Sequence, residues 1–189
     1  MTILIGIQGA EGSFSETAAQ EFIHTQAIAD AELCYLISSE NVLAAVEAGD
    51  VNYGIIAIEN SRGGVVTESI YALANHNCRI ITLFHIKISQ NLLVQPDVLL
   101  ADITEIHSHQ QAIRQCQGYL AAHLPHCPQI EEDDTAASAK RLSKGLLPHT
   151  SAVIGNASCA ALYGLKLLAN NIQDLDNNIT LFAAITQKS

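Results

Sequence analysis

The sequence predicts an α/β protein whose sheets are mostly parallel and carry helices on both faces. Short β-branched apolar runs alternate with segments whose apolar residues recur at helical spacing, along almost the whole chain. No repeat, low-complexity tract or Pro/Gly/Ser-rich linker interrupts that alternation. Hydrophobic residues make up 49% of the 189 positions against 15% charged, which is enough for one ordinary domain or two small lobes and argues against disorder.

Taken in order, ILIGIQ (3–8) is a strand ending at glycines, and SETAAQEFIHTQ (15–26) the helix that follows. AELCYLIS (31–38) is the next strand. NVLAAVEAGD (41–50) reads as a helix capped by Ser38 or Ser39 and closed near Gly49. YGIIAIENS (53–61) is a buried strand running into a polar turn, and residues 63–77 a glycine-started helix with Val65, Val66, Ile70, Leu73 and Ala74 as its apolar stripe. RIITLFHIKIS (79–89) and NLLVQP (91–96) are strands. Residues 104–126 read as a short strand and a long helix, capped by Ser108 and stopped by Pro125. TAASAKRLSKG (135–145) is a helix, SAVIGN (151–156) a strand, SCAALYGL (158–165) a helix, and ITLFAAIT (179–186) the last strand. The ends are expected to fold together as one lobe, about 1–78 plus 156–189, and the middle, about 79–155, as the other.

A formal net charge of −10 opposes binding to nucleic acid or to an anionic membrane face, so an anionic ligand has to be held by local features. The five cysteines are scattered and show no ligand spacing; they read as apolar thiols of a reducing compartment, with no metal site. The start MTILIGIQGAEGS lacks the regions of a signal peptide, and no apolar run approaches the roughly 20 residues of a membrane span. A cytoplasmic protein is expected.

Four strand-to-helix junctions carry the polar chemistry. GAEGSFSE (9–16) offers backbone N–H groups around Gly12 and Ser13 at a helix start, where a carboxylate could sit; Ser13 with Glu16 equally fits a capping box. IENSRGG (58–64) delivers Asn60 and Ser61 to a turn, with Arg62 at the carboxyl end of a strand, where ligands of α/β sheets bind. HSHQQA (107–112) and DDTAAS (133–138) add Ser108, His109, and Asp134 or Thr135 as a cap. Together these junctions would let an acidic protein hold a small di-anion without a basic patch.

The order and separation of GAEGSFSETAA, IAIENSRGGVVTES, HSHQQAIRQC, DDTAASA, IGNASCAALYGLKLLANNIQD and NNITLF resemble the catalytic domain of prephenate and arogenate dehydratases, over essentially the whole chain. The resemblance implies two lobes similar to type II periplasmic binding proteins, with the active site in the groove between them. It implies loss of the ring carboxylate as carbon dioxide together with the C4 hydroxyl, on prephenate or arogenate, without a cofactor, in a homodimer. The family's Thr-Arg-Phe motif falls on Thr180-Leu181-Phe182, which makes the Thr180 hydroxyl the group that protonates the leaving oxygen. Asn60, Ser61, Ser108, His109 and Thr135 are then groove residues, with Arg62, Gly12, Ser13, Leu181 and Phe182 as further substrate contacts.

Three departures stand out. Leu181 replaces the motif arginine, whose charge-assisted bond is worth on the order of 1.5–3 kcal/mol, so its loss is expected to cost about one to two decades in rate. Gln90-Asn91 stands where many relatives have a histidine, and Gln110 where they have proline. The chain ends just after the motif strand, so the phenylalanine-sensing ACT domain of many relatives, and its feedback, are expected to be absent. Two further functions fit these losses: a non-aromatising prephenate decarboxylase of a peptide natural-product pathway, and a non-catalytic module that binds a small carboxylate.

Overall fold

The computed structural model describes residues 2–188 and divides the chain into two units, one running to Lys87 and resuming at Asn178, the other spanning Ile88–Asn177. Strands and helices are numbered here in chain order.

The first unit is built on a sheet in which β1 (Ile3–Ile7) lies between β2 (Ala31–Tyr35) and β3 (Tyr53–Asn60), all parallel. The chain's last strand, β11 (Ile179–Gln187), enters antiparallel between β3 and β5 (Cys78–Lys87), and β4 (Gly64–Val65) pairs with the end of β3. Helix α1 (Phe14–Thr25) contributes Phe22 to one face, where it stacks on Phe84 and meets Tyr53 edge-on, while Phe84 stacks in turn on Phe182. A separate apolar cluster forms between α2 (Ser39–Ala48), α3 (Thr67–Asn75) and the sheet, from Val42, Leu43, Val46, Ile56, Ala72, Ala183 and Ile185. The close fit of α2 explains one glycine. A Cβ at Gly54 would lie 2.7 Å from Val42 Cγ1 and 2.9 Å from Val46 Cγ2.

The second unit holds β6 (Asn91–Val94), β7 (Glu105–His109), β8 (Gln129–Glu132), β9 (Ser151–Gly155) and β10 (Lys166–Ala169), in the order β10-β6-β9-β7-β8. Neighbouring side chains of a strand point to opposite faces, and the cores follow that rule. Leu92 and Ile154 join Ile106, Ile113 and Leu120 on one side, while Leu93 and Val153 join Ala136, Leu142 and Cys159 on the other. Helices α4 (Gln110–Gln115) and α5 (Gln117–His123) supply the first cluster; α6 (Thr135–Ser143) and α7 (Ser158–Tyr163) supply the second.

Several expectations are corrected. Parallel pairing holds for β2-β1-β3 and for β8-β7-β9, but β11 and β6 run against their neighbours, so both sheets are mixed. The units divide at 87/88 and 177/178 rather than near 78 and 156, because β5 hydrogen-bonds along its length to β11 while β10 pairs with β6. The helix expected over 63–77 starts only at Thr67, since Gly64, at φ +76°, turns the chain back on Asn60 as β4. Its inward residues are consequently Ser69 and Ala72, and Val65 and Ile70 are exposed. The long helix expected after the strand within 104–126 breaks at Cys116, which leaves helical geometry at φ −118° and ψ 15°. Strands β8 and β10, four residues each, are too short to read as alternating runs, and neither is predicted from the sequence.

Two predictions rest on this packing. Gly54→Ala forces α2 off the sheet and is expected to cost about 1–3 kcal/mol in urea unfolding, the range for an overpacked core. The other concerns His76, whose Nδ1 lies 2.6 Å from Glu47 and Nε2 2.8 Å from Glu40. Its bonds to Glu47 and then Glu40 raise its pKa above the ordinary 6.5, and the bond from His76 lowers that of Glu47. The stabilisation is therefore complete just below about pH 6.5, lost as pH rises through the raised histidine value, and lost again in acid as Glu47 takes up a proton. The difference in urea midpoint between the wild-type chain and His76→Gln should be largest in that window; a difference that grows above it would contradict the assignment.

Candidate active site

Asn60 and Thr180 face each other in the register of β3 and β11, separated by 120 residues of chain. The Asn60 side chain is bonded at both ends. Its Oδ1 accepts the backbone N–H groups of Arg62 at 2.9 Å and Gly63 at 2.8 Å, a turn that fixes which way the amide points. Its Nδ2 must then face β11, where it donates to Asn178 Oδ1 and to Thr180 Oγ1, both at 2.8 Å. Ser61 continues the ladder: its N–H donates to the Ile179 carbonyl at 2.8 Å and its Oγ accepts the Ile179 N–H at 3.0 Å.

The consequence falls on Thr180. A hydroxyl has one proton to give and two lone pairs to fill. Because Asn60 fills one lone pair from the side of β3, the Thr180 proton points elsewhere, and among the described residues no acceptor takes it. A donor on the oxygen also polarises the O–H bond and stabilises negative charge developing there. Thr180 is 6% exposed, so this proton sits in surroundings where electrostatic effects are stronger than in water.

The remaining first-unit candidates do not join this cluster. Phe182 is a core residue of the aromatic ladder, since the fold needs its ring between α1 and the sheet. Leu181 lies in register between Glu59 of β3 and His85 of β5, and strand alternation places it on the face opposite Thr180. Glu59 is thus its cross-strand neighbour on β3. Gly12 and Ser13 belong to the start of α1, where the Gly12 N–H donates to Glu16 and the Glu16 N–H to Ser13 Oγ. Gly12, at φ +86°, makes the turn possible. Partial burial, with Glu16 and Glu11 nearby, pushes the Tyr35 phenol up to about 12. An anion at this helix start would meet carboxylates already in place.

In the second unit Ser108 is not the helix cap. It is fully buried in β7, donating to the Ile154 carbonyl at 2.7 Å, and the cap of α4 is His109, whose Nδ1 accepts the Gln111 N–H at 3.2 Å. Thr135 opens α6 beside Gly155, with its Cβ 3.7 Å from where a glycine Cβ would stand, and Asp134 caps that helix through the Ala137 N–H at 2.7 Å. At all four junctions, then, side chains of the protein itself occupy backbone amides that the sequence reading offered to a ligand.

The sequence reading missed Asn178, 1% exposed, and an amide cluster around Gln90. The Gln90 N–H donates to Gln173 Oε1 at 2.9 Å and its Nε2 to Gln115 Oε1 at 3.1 Å, while Gln90 Oε1 and Gln173 Nε2 are buried with no partner among the described residues. Each such atom costs on the order of 1–3 kcal/mol. Asn178 stood in plain view within NNIT, but a buried asparagine is not distinguishable from a loop asparagine without its contacts. None of the five cysteines forms a disulfide among the described residues, and burial, with Asp174 nearby, pushes the Cys116 thiol up to about 12. Among the described residues no helix is long and apolar enough to cross a membrane.

Comparison with known proteins gives a consistent answer. Residues 5–189 match the family described as Prephenate dehydratase. A bifunctional chorismate mutase/prephenate dehydratase of Stutzerimonas stutzeri is 33% identical over 177 residues, 94% of this chain and 47% of that protein. The chain spans about half the length of the curated relatives it matches. A crystal structure of prephenate dehydratase from Arthrobacter aurescens in complex with L-Phe superposes with a TM-score of 0.87 at 31% identity, covering 99% of this chain and 61% of that one. A nutrient binding protein from Burkholderia cenocepacia shares the fold alone, with a TM-score of 0.54 at 14% identity over 98% of this chain and 85% of that one.

The capping role of Ser13 is checked by Ser13→Ala. Loss of this N-cap is expected to lower unfolding free energy by about 1 kcal/mol, read from urea melts; an unchanged midpoint would free the residue from that role.

Proposed function

The chain belongs to the prephenate dehydratase family, and on that premise we propose that it is a lyase that converts prephenate to phenylpyruvate. The observation that carries the reading is the donation from Asn60 to Thr180, with the Asn60 oxygen pinned by its own turn. In the proposed reaction the ring carboxylate leaves as carbon dioxide and its electron pair enters the ring. The C4 oxygen departs as water, with a proton supplied through the Thr180 hydroxyl. As that proton moves, negative charge grows on Thr180 Oγ1, and the Asn60 N–H is already aimed at it. Aromatisation drives the step, so the protein has mainly to orient the substrate and offer the proton. Arogenate, which carries an amine in place of the side-chain keto group, is the alternative substrate.

The free thiols and the acidic net charge support a cytoplasmic enzyme acting on a small molecule rather than on nucleic acid. A homodimer is proposed from the family resemblance.

Incubation of purified protein with prephenate tests the reading. Phenylpyruvate, seen by its absorbance in alkali, is the expected product; a non-aromatic keto-acid with released carbon dioxide, or binding without turnover, would replace dehydration by decarboxylation or by a binding role. Thr180→Ala is expected to reduce the rate of phenylpyruvate formation at least about a hundredfold, the scale of general acid catalysis, and an unchanged rate would remove Thr180 from the mechanism.

A further inference from the structure

Asn60 Nδ2 has two hydrogens, and within its reach lie Asn178 Oδ1 at 2.8 Å, Thr180 Oγ1 at 2.8 Å and the Ile179 carbonyl at 3.4 Å. Only two can be served well. The amide cannot simply turn over to choose differently, because its oxygen is tied to the N–H groups of Arg62 and Gly63. One of the two near acceptors is the carboxamide of Asn178, which sits one residue before β11 and is 1% exposed. Its oxygen takes one hydrogen and leaves the other directed at Thr180.

We infer that Asn178 is a positioning residue, which acts through Asn60 to hold the Thr180 hydroxyl as a proton donor. The inference rests on the proposed dehydratase reading for its catalytic meaning, though not for its geometry. Without the Asn178 oxygen, the Asn60 amide is left to pivot about its anchored oxygen toward the Ile179 carbonyl, and its grip on Thr180 loosens. The donor that sets the rotation of the Thr180 hydroxyl and stabilises charge on its oxygen is then held less firmly in line with it. A polar side chain this deeply buried is stable only when bonded. Its bond to Asn60 is made at the point where it bears on the reacting group.

The test uses Asn178→Ala and Asn178→Leu, which remove the acceptor while emptying or filling its space. Each is expected to lower kcat on prephenate by about tenfold or more, as for a modest misplacement of a reacting group, with KM within about twofold of wild type. In a Thr180→Val background, Asn178→Ala should add no further loss. A raised KM with unchanged kcat, or an equal loss in the Thr180→Val background, would overturn the role. The side-chain amide of Asn60, followed by NMR in nitrogen-labelled protein, gives a readout independent of turnover. Both variants are expected to shift that resonance and to speed exchange of its protons by about tenfold; an unmoved Asn60 signal would overturn the clamp. If the wild-type protein leaves prephenate untouched, the dehydratase reading fails, and the NMR result alone decides whether Asn178 holds Asn60.

Discussion

The antiparallel entry of β11 between β3 and β5 is the constraint from which the site follows. Parallel strands joined through helices leave β3 and β5 one strand apart, and the chain's last segment fills that gap from the opposite direction. The reversal puts the start of β11 against the end of β3. Thr180 therefore meets Asn60, at the carboxyl end of a strand, where open α/β sheets present ligand-binding groups. The same strand delivers Phe182 to the aromatic ladder and Ala183 and Ile185 to the cluster under α2, so the site is anchored by two cores. Shifting β11 by one residue would disturb both cores together with the bond from Asn60 to Thr180.

Hydrogen bonding inside the turn gives the site its chemical direction. An isolated threonine hydroxyl rotates freely between donor and acceptor roles. Here the turn amides of residues 62 and 63 fix the Asn60 oxygen, and that fixes the Asn60 nitrogen. The nitrogen in turn fills one lone pair of Thr180. Orientation thus passes through two side chains from a backbone turn to a hydroxyl, and the charges involved are partial throughout. This suits an acidic chain with few cations.

The helix starts show the reverse arrangement. A helix N-terminus attracts anions through its exposed N–H groups, but in this protein Ser13 with Glu16, His109 and Asp134 already satisfy amides there. The positions are stabilised as caps. At residue 181, the leucine pairs in register with Glu59 and lies on the face opposite Thr180. In the second unit the Gln90 amide joins Gln115 and Gln173 in a neutral cluster.

The sequence by itself determined the alternation of strands and helices, narrowed two helix caps to Ser38 or Ser39 and to Asp134 or Thr135, and offered Thr180 and Asn60 among the functional candidates. These were legible because periodicity, capping chemistry and ordered motifs are local properties of the chain. Only the tertiary structure decided that β11 and β6 run antiparallel, that Gly64 returns the chain as a strand before α3 begins, and that Ser108 is buried while His109 caps. It also decided that Asn178 accepts a hydrogen bond from Asn60. Strand direction and side-chain partnership depend on contacts between residues far apart in sequence, and the types of residue involved are compatible with several partners until the core has chosen one.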